Sequence, residues 1–261
     1  MRAFDWNTLN LQSAPFRVIA SNVFDAPSVD INKADPTRAD GVVHLFRKMG
    51  GRVITVSGSI RVENDELATD TAIDLLKKKT LSYRGTGELG VMIAGKRRYW
   101  TGRATNVTVG RRNTDVSRAT YSFQVECEKP YALDQDGLVS FMPTTVITSQ
   151  YASIGAQNDG TYLAAPVTTL VVTSVPGGSA TTTITLSNPE TIEELQFTLT
   201  LKNGDTLTID CDKRQIFQNT TKIYGSGVFP EWLPEGGLFN YADTLASRNI
   251  TASGNYMRKW L

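Results

Sequence analysis

The sequence has one histidine, two cysteines and almost no net charge, and each shortage excludes a class of function. With His44 alone, a metal site built on paired histidines is excluded, and a catalytic triad would have to use that residue. Lys and Arg number 27 against 26 Asp and Glu, so no overall field draws the chain to nucleic acid or to a membrane. Cys127 and Cys211 lack CxxC spacing, which predicts two free, half-buried thiols in a reducing compartment.

Long apolar runs are also missing from the sequence. No stretch approaches about 18 apolar residues, and the N-terminal segment lacks the apolar core of a signal peptide. We therefore expect a protein that is made and kept soluble in the cytosol, without a membrane partner. Its 261 residues suffice for one large or two ordinary domains, which at this size bury roughly 70–75% of the unfolded chain's surface.

The motifs that carry chemistry are weak. Gly85–Gly90 matches G-x-G-x-x-G, but the dinucleotide fingerprint requires a strand before the motif and a helix after it, and here the order is reversed. Asp205, Asp210 and Asp212 match no calcium-loop spacing and stand beside basic residues, which favours a hairpin rim over a cation site. His44 lies in an alternating run that predicts a strand histidine with a local hydrogen bond. We therefore predict no enzyme activity, no cofactor and no metal.

One segment, between residues 64 and 79, has the features of a helix. Asn64 is a suitable N-cap, Asp65 and Glu66 follow in the first turn, and Lys77–Lys79 close the last turn, so both ends complement the helix dipole. Apolar residues at i, i+4, i+7 and i+8 form one stripe, which consists of Ala68, Ala72, Leu75 and Leu76. We expect this helix to lie on a sheet.

Strand patterns dominate the first half of the chain. In Arg52–Val62 apolar residues alternate with small polar ones, so one face of this strand enters a core and the other is wet or meets a partner. Phe16–Phe24 also predicts a strand, and Gly41–Phe46 is expected to pair with Arg52–Val62 across a turn. Asp25–Asp40 contains two prolines and predicts a long loop.

The second half predicts an antiparallel β-sandwich. Two hairpins are expected, one joining Val167–Val175 to Thr181–Leu186 and one joining Leu195–Leu201 to Thr206–Asp210 through Asn203-Gly204. Shorter strands follow at Gln215–Phe217, Lys222–Tyr224 and Arg248–Arg258. The chain is therefore predicted to be mainly β with one principal α-helix. It would comprise a sandwich-like domain at 1–134, a linker or long excursion at 135–165 and a β-sandwich domain at 166–261.

A predicted hairpin after the helix concentrates positive charge beside aromatic rings. Its basic and aromatic residues are Lys96, Arg97, Arg98, Tyr99, Trp100, Arg103, Arg111, Arg112 and Arg118. Cations interleaved with aromatics are typical of a nucleic-acid groove, which uses phosphate contacts and base stacking. Charge also keeps an edge hairpin soluble, and it suits contact with an acidic face of a neighbouring copy. The residues leave these three interpretations open.

The order of these segments resembles the distal tail (Dit) proteins of long-tailed, non-contractile bacteriophages. Three stretches carry most of the resemblance: RVITVSGSI at Arg52–Ile60, YSFQVECEKPYA at Tyr121–Ala132 and LKNGDTLTID at Leu201–Asp210. Phe229–Pro234 and Arg258–Leu261 also match the family's pattern. The likeness covers most of the chain and depends on the order of several weak motifs.

This resemblance implies a structural virion protein of the phage tail tip or baseplate, assembled in the host bacterial cytoplasm. The first domain would form a hexameric ring that joins the tail tube protein to the tail hub or fibre protein and leaves a channel for DNA in transit. The second domain, a galectin-like or carbohydrate-module-like sandwich, would carry receptor-binding proteins for host attachment. Candidate residues for the subunit interface or the channel lie on the basic hairpin: Arg97, Arg98, Tyr99, Trp100, Arg103, Arg111 and Arg112.

A carbohydrate-binding β-sandwich module is the alternative. In that case the stacking platform for a sugar would consist of Trp232, Phe239, Tyr241 and Trp260. Aromatic residues of a sandwich more often belong to its core, which is the competing interpretation of these four. The oligomeric state separates the two functions, because a ring requires several copies and a sugar module does not.

Overall fold

The computed structural model describes residues 3–34, 43–63, 65–81, 85–111 and 117–261. The described chain is built from antiparallel strands and a single α-helix, which confirms the predicted fold class. It divides into two compact units, Met1–Gln135 together with Leu261 and Asp136–Trp260.

The described part of the first unit carries nine strands and the helix. In chain order these elements are β1 (Phe4–Trp6), β2 (Leu9–Asn10), β3 (Phe16–Ser21), β4 (Val29–Ala34), β5 (Val43–Met49), β6 (Arg52–Arg61), α1 (Glu66–Leu81), β7 (Gly87–Ile93), β8 (Lys96–Arg111) and β9 (Arg118–Cys127).

Seven of these strands form a continuous antiparallel ladder in the order β2-β1-β7-β8-β9-β6-β3. Strand β8 lies in the middle of the ladder and changes partner along its length. Its residues 96–102 pair with β7, and its residues 102–111 pair with β9. At the change of partner a Cβ on Gly102 would lie 2.4 Å from the carbonyl oxygen of Glu126, so the close approach requires glycine. Trp6 of β1 packs on Phe123 of β9, with ring centroids 5.9 Å apart, inside the core.

The alternation predicted for Arg52–Val62 is present in β6. Ile54, Val56 and Ile60 are fully buried, whereas the side chains between them are half-buried or exposed. The partner strand β9 alternates in the same way, and ten consecutive residue pairs join the two strands. One side of this ladder therefore faces the core and the other side faces outward.

Helix α1 begins after Asp65, whose carboxylate accepts a hydrogen bond of 2.9 Å from the backbone N–H of Ala68. Asn64, the predicted cap, lies outside the described residues. The predicted apolar stripe is wrong in part, because Leu75 is 39% exposed. The buried residues are Thr69, Ala72, Ile73, Leu76 and Thr80. Both threonines enter the core because their hydroxyls donate to carbonyls one turn earlier, at 2.8 Å each.

Two predictions around residues 25–49 are wrong. Val29–Ala34, inside the expected loop, forms β4, and β5 pairs with β4 rather than with β6. Strand β6 cannot accept β5, because β3 occupies one of its edges and β9 occupies the other. The predicted side-chain hydrogen bond of His44 lies outside what the structure describes.

The second unit begins within β10 (Ala132–Ile147), whose first residues pair with β8 of the first unit's ladder. The strands that follow are β11 (Tyr151–Ala156), β12 (Val167–Ser174), β13 (Ser179–Asn188), β14 (Glu193–Lys202), β15 (Thr206–Asp210), β16 (Gln215–Gln218), β17 (Thr221–Ile223), β18 (Ser226–Gly227), β19 (Gly237–Ala242) and β20 (Asn249–Trp260), with a 3-10 turn at Pro176–Gly178. They form two sheets, ordered β17-β16-β15-β12-β20-β10 and β11-β19-β13-β14-β18.

Neither predicted hairpin of the second unit forms. Strand β12 pairs with β15 and β20, whereas β13 pairs with β14, so both expected turns connect one sheet to the other. The two connections bind each other, because Asn203 accepts a hydrogen bond of 2.9 Å from the N–H of Val175 and donates its own N–H to Gly178 at 3.1 Å. The turn residues correctly predict that the chain reverses at both places. The strand after each turn joins the opposite sheet, because both sheets pack on one common core.

The range 135–165, predicted as a linker or long excursion, contains most of β10 and all of β11. Phe141, Ile147 and Ile154 in this range are buried in the core of the second unit. Small Ser, Thr and Ala residues between them obscure the period of two in the sequence.

Cys127 and Cys211 are free, as predicted, and both are buried. Burial raises the pKa of Cys127 to about 12, and the positive charge of Arg52 reduces this shift in part. Burial and the surrounding carboxylates raise the pKa of Cys211 as well. Both thiols are therefore protonated at neutral pH.

Asp205 organises the connection between β14 and β15. Its buried carboxylate accepts hydrogen bonds from the N–H of Lys202 at 2.8 Å, from Gln218 at 2.7 Å and from Asn219 at 2.9 Å. Burial raises the pKa of this carboxyl, but the three hydrogen bonds outweigh burial and hold the pKa below its ordinary value.

We expect Asp205→Asn to lower the free energy of unfolding at pH 7 by about 1–3 kcal/mol, because it removes an acceptor from a buried network. Since the pKa of Asp205 is lower in the folded state, the carboxylate's contribution is present above the unfolded pKa of about 4 and is lost at lower pH. Urea titrations at several pH values measure both effects. Asp212→Asn, at a side chain that is 59% exposed, is the control, and an equal loss in both variants would contradict the prediction.

Deleting residues 141–261 is expected to leave a folded first unit, because the ladder from β2 to β3 closes on residues before 128. A single cooperative unfolding transition of the truncated chain, followed by circular dichroism, is the expected result. Gradual unfolding without a transition would show that the first unit depends on the second.

Candidate assembly surfaces

The outward side of strands β6, β9 and β8 is a surface of mainly small polar side chains. We call it the Ser/Thr face, and it consists of Thr55, Ser57, Ser59, Thr105, Thr108, Thr120, Ser122 and Gln124. These residues lie in register across three strands, for example Ser57 opposite Ser122 and Ser122 opposite Thr108. All of them are half-buried or exposed. The face therefore offers mainly short hydroxyl groups to a partner or to solvent.

A shallow depression of about 500 Å³ lies within the Ser/Thr face. Its lining includes Gly58 and Gly110, and Tyr121 lies beneath Gly58, where a Cβ would be 2.5 Å from the tyrosine ring. Burial raises the pKa of Tyr121 above its ordinary value, so its hydroxyl remains protonated. Ile19 lines the depression and is 68% exposed.

Two arginines of the basic hairpin bind carboxylates of their own unit. Arg97 contacts Asp5 with two hydrogen bonds, of 2.6 Å and 3.0 Å, and lies 3.6 Å from Glu88. The hydrogen bonds to Asp5 raise the pKa of Arg97 above its ordinary value. Arg111 binds Glu66 at 2.9 Å and Asp70 at 2.6 Å, which ties β8 to α1.

The remaining hairpin residues are dispersed. Trp100 is 2% exposed and lies in the core, and Tyr99 is half-buried beneath the guanidinium of Arg97, 5.7 Å from the ring centroid. Arg98 lies opposite Asp134 in the β8–β10 ladder, and burial lowers its pKa more than Asp134 raises it. Arg103 is exposed at the end of the Ser/Thr face, opposite Glu126.

Arg112 lies outside the described residues, whereas Lys96 and Arg118 are exposed at strand ends. The described cations of the hairpin thus do not form one basic surface with stacked aromatics. Trp100, one of the two rings considered for base stacking, is buried and cannot stack on a base.

Arg52 is a structural residue that the sequence pattern did not indicate. It is 4% exposed, and its guanidinium donates hydrogen bonds to the backbone carbonyls of Val23 and Asp25, the latter at 2.6 Å. It also lies over the ring of Trp100, 5.1 Å from the centroid. Burial lowers the pKa of Arg52, an effect that the nearby acidic groups reduce. Arg52 therefore fastens the segment after β3 to the core.

A second surface is an apolar groove of about 910 Å³ beside α1. We call it the α1 groove, and it is lined chiefly by Pro15, Phe16, Val62, Leu67, Ala68, Thr71, Ala72 and Leu75. Leu67 is 78% exposed and Leu75 is 39% exposed, although both are large apolar residues. The groove therefore includes three residues of the predicted apolar stripe, Ala68, Ala72 and Leu75, on a side of the helix that the core of the first unit does not cover completely.

In the described ranges, no three His, Cys, Asp or Glu side chains group as a metal ion would require. Asp210 and Asp212 bind lysines of the same unit, Lys213 at 2.9 Å and Lys259 at 3.2 Å. Within the same ranges, no helix is long and apolar enough to span a bilayer.

We expect Asp5→Asn to lower the free energy of unfolding of the first unit by about 1 kcal/mol, because it weakens a bidentate, half-buried ion pair with Arg97. Glu88→Gln is the matched control, since Glu88 is 53% exposed and 3.6 Å from the same guanidinium. Denaturant midpoints of the two variants test the prediction. A larger effect of the control would show that Asp5 does not position the hairpin.

No protein-family model and no curated protein matches the chain. Among solved structures, the SPP1 Dit (gp 19.1) protein, described as a paradigm of the hub adsorption apparatus in phages that infect Gram-positive bacteria, matches with a TM-score of 0.67. It is 15% identical, and the match covers 100% of both chains.

Two further matches are too weak to carry an argument. The phage P2 baseplate in its activated conformation with calcium has a TM-score of 0.47 at 9% identity and covers 99% of this chain and 98% of that one. A Trypanosoma rangeli sialidase has a TM-score of 0.22 at 9% identity, covering 89% of this chain and 51% of the sialidase. The match to SPP1 Dit confirms the resemblance noted in the sequence as a likeness of fold, and the chain has the fold of a phage Dit protein.

Proposed function

We propose that this protein is a structural component of a phage tail, forming a hexameric ring at the distal end of the tail tube. The observation that carries the proposal is the full-length likeness of fold to SPP1 Dit. The ring would join the tail tube protein to the tail hub or fibre protein and leave a channel for DNA. Receptor-binding proteins would attach through the second unit, and the ring would have no enzymatic role.

The Ser/Thr face suits the wall of that channel. Of the large apolar residues on this side of the sheet, Ile19 and Val53 are substantially exposed, at 68% and 47%. Permanent subunit interfaces are more apolar than this, because they resemble a divided core. The neutral hydroxyl groups at the centre of this face, in contrast, carry no fixed positive charge that would hold a passing polyanion, and the exposed Arg103 at its end lies opposite Glu126.

The α1 groove suits contact with a second copy. Its exposed Leu67 and Leu75 form an apolar surface, bordered by charged Arg61, Glu63 and Asp65. An apolar centre with a polar rim is the usual composition of a stable protein interface. The pair β4–β5 is a second candidate contact, because its strands pair with no other strand of the described chain. Isolated two-stranded hairpins are only marginally stable in water.

The carbohydrate alternative in its original form is not supported. Trp232, Phe239 and Tyr241, three members of the expected stacking platform, are each 1% exposed and belong to the core of the second unit. Trp232 stacks on Phe239 inside that core, with ring centroids 5.9 Å apart. These rings therefore stabilise the sandwich and have no surface to offer a sugar.

Electron micrographs and native mass spectrometry of the purified protein test the ring. We expect particles with six-fold symmetry and a central opening, together with the mass of a hexamer. If the purified protein is a monomer, the same measurements are repeated in the presence of tail tubes. A ring that forms only on a tube would then be seen at the tube end. A monomer that also fails to bind tubes would contradict the proposed function.

Three substitutions separate the two surfaces. We expect Leu67→Asp to abolish the ring, because it places a charge in the α1 groove, and Ser57→Asp to leave the ring intact, because it lies on the channel wall. Ile192→Asp is the matched control, since Ile192 is 89% exposed and belongs to the second unit. All three sites are solvent-accessible, so unfolding midpoints should change little. Loss of the ring in Ser57→Asp alone would assign the subunit contact to the Ser/Thr face instead.

A further inference from the structure

The second unit has a polar cavity on the outward face of its five-stranded sheet. The cavity has a volume of about 490 Å³ and is lined by residues of β11, β13, β14 and β19. This volume lies within the range of pockets that hold small ligands. It is separate from the apolar core, which occupies the other side of the same strands.

The strand register arranges the lining in two rows. One row crosses four strands through Ser153, Asn240, Ser187 and Glu194, each directly opposite the next. With strands about 4.8 Å apart, this row is about 14 Å long. All four side chains end in hydrogen-bonding groups, and Ser153 donates to the Oδ1 of Asn240 at 2.6 Å. A ligand can therefore bond to the amide N–H groups of Asn240, to Ser187 and to Glu194.

The second row runs through Tyr151, Ala242, Thr185 and Gln196. Ala242 has no side chain beyond Cβ and leaves space between its neighbours. Tyr151, at the end of the row, is 72% exposed, so its ring is accessible at the rim of the cavity. The cavity thus combines a polar floor with one accessible aromatic ring.

The charge of the lining limits the ligand. The carboxylates of Glu194 and Asp243 line the cavity. The carboxylate of Asp243 is buried, forms an ion pair with Arg248 at 2.8 Å and accepts a hydrogen bond of 2.6 Å from the hydroxyl of Tyr241. Glu194 is exposed, and its carboxylate accepts no hydrogen bond from the side chains that the structure describes. No lysine or arginine lines the cavity. A phosphate, a sulfate or a sialic acid would therefore meet a negative charge without a compensating cation.

We propose that this cavity binds a neutral oligosaccharide. Hydroxyl groups of a pyranose match the donors and acceptors of Asn240, Gln196 and Glu194, and the C–H face of the ring matches the exposed ring of Tyr151. An apolar protein segment does not fit, because it would remove the Asn240 amide and the Glu194 carboxylate from water without forming hydrogen bonds to them. The site is independent of the ring, since every lining residue belongs to the second unit.

The test uses the full-length protein on an array of neutral oligosaccharides, built from hexoses and N-acetylhexosamines, beside sialylated and sulfated ones. We expect retention of at least one neutral oligosaccharide and none of the anionic ones. The affinity for that oligosaccharide is then measured by calorimetry for the wild type and for variants.

Tyr151→Ala and Gln196→Ala are each expected to weaken binding about tenfold or more, equivalent to about 1.4 kcal/mol. Tyr224→Ala is the matched control, because Tyr224 is 82% exposed and does not line the cavity, and it should leave the affinity unchanged. Absence of neutral ligands on the array, a preference for anionic ones, or equal effects of Tyr151→Ala and Tyr224→Ala would each overturn the proposal. Ring formation is scored in the same samples, so that failure of the site and failure of the ring are distinguished.

Discussion

The ladder between β6 and β9 is the constraint on which the first unit depends. Ten consecutive residue pairs hold the two strands in one register, and successive side chains point to opposite faces. A shift of one strand by a single residue would exchange Ile54 and Val56 for Thr55 and Ser57 on the core side. The apolar core and the Ser/Thr face are therefore two results of one register, and neither surface can form without the other.

Strand positions follow from the sequence more readily than strand partners do. The alternation in Arg52–Val62 is a local property, so it predicts both the strand and its two faces. The pairing partner of a strand, in contrast, depends on segments that are distant in the sequence. Strands β3 and β9 pair with the two edges of β6, so that no edge remains for β5. The Asn203-Gly204 turn shows the same limit. It correctly marks a reversal, but the hydrogen bond from Val175 to Asn203 belongs to a change of sheet that local spacing does not specify.

The candidate surfaces are less predictable because they depend on distant partners. Arg97 appears in the sequence as part of a basic cluster, yet its carboxylate, Asp5, is 92 positions away. Arg111 is likewise neutralised by residues of α1. Leu75 is 39% exposed, whereas Thr69 and Thr80 of the same helix are buried, an arrangement that hydrophobicity alone would not predict. The sequence shows which residues are charged or apolar, but the fold determines which of them remain exposed and can bind a partner.

The two buried thiols determine how the protein responds to an oxidising solution. Accessible thiolates form disulfides or are oxidised irreversibly in such a solution. Cys127 and Cys211 present neither an accessible sulfur nor a thiolate, because burial keeps both protonated. The protein is therefore expected to keep the same covalent structure in reducing and in oxidising solution, without disulfide links between copies.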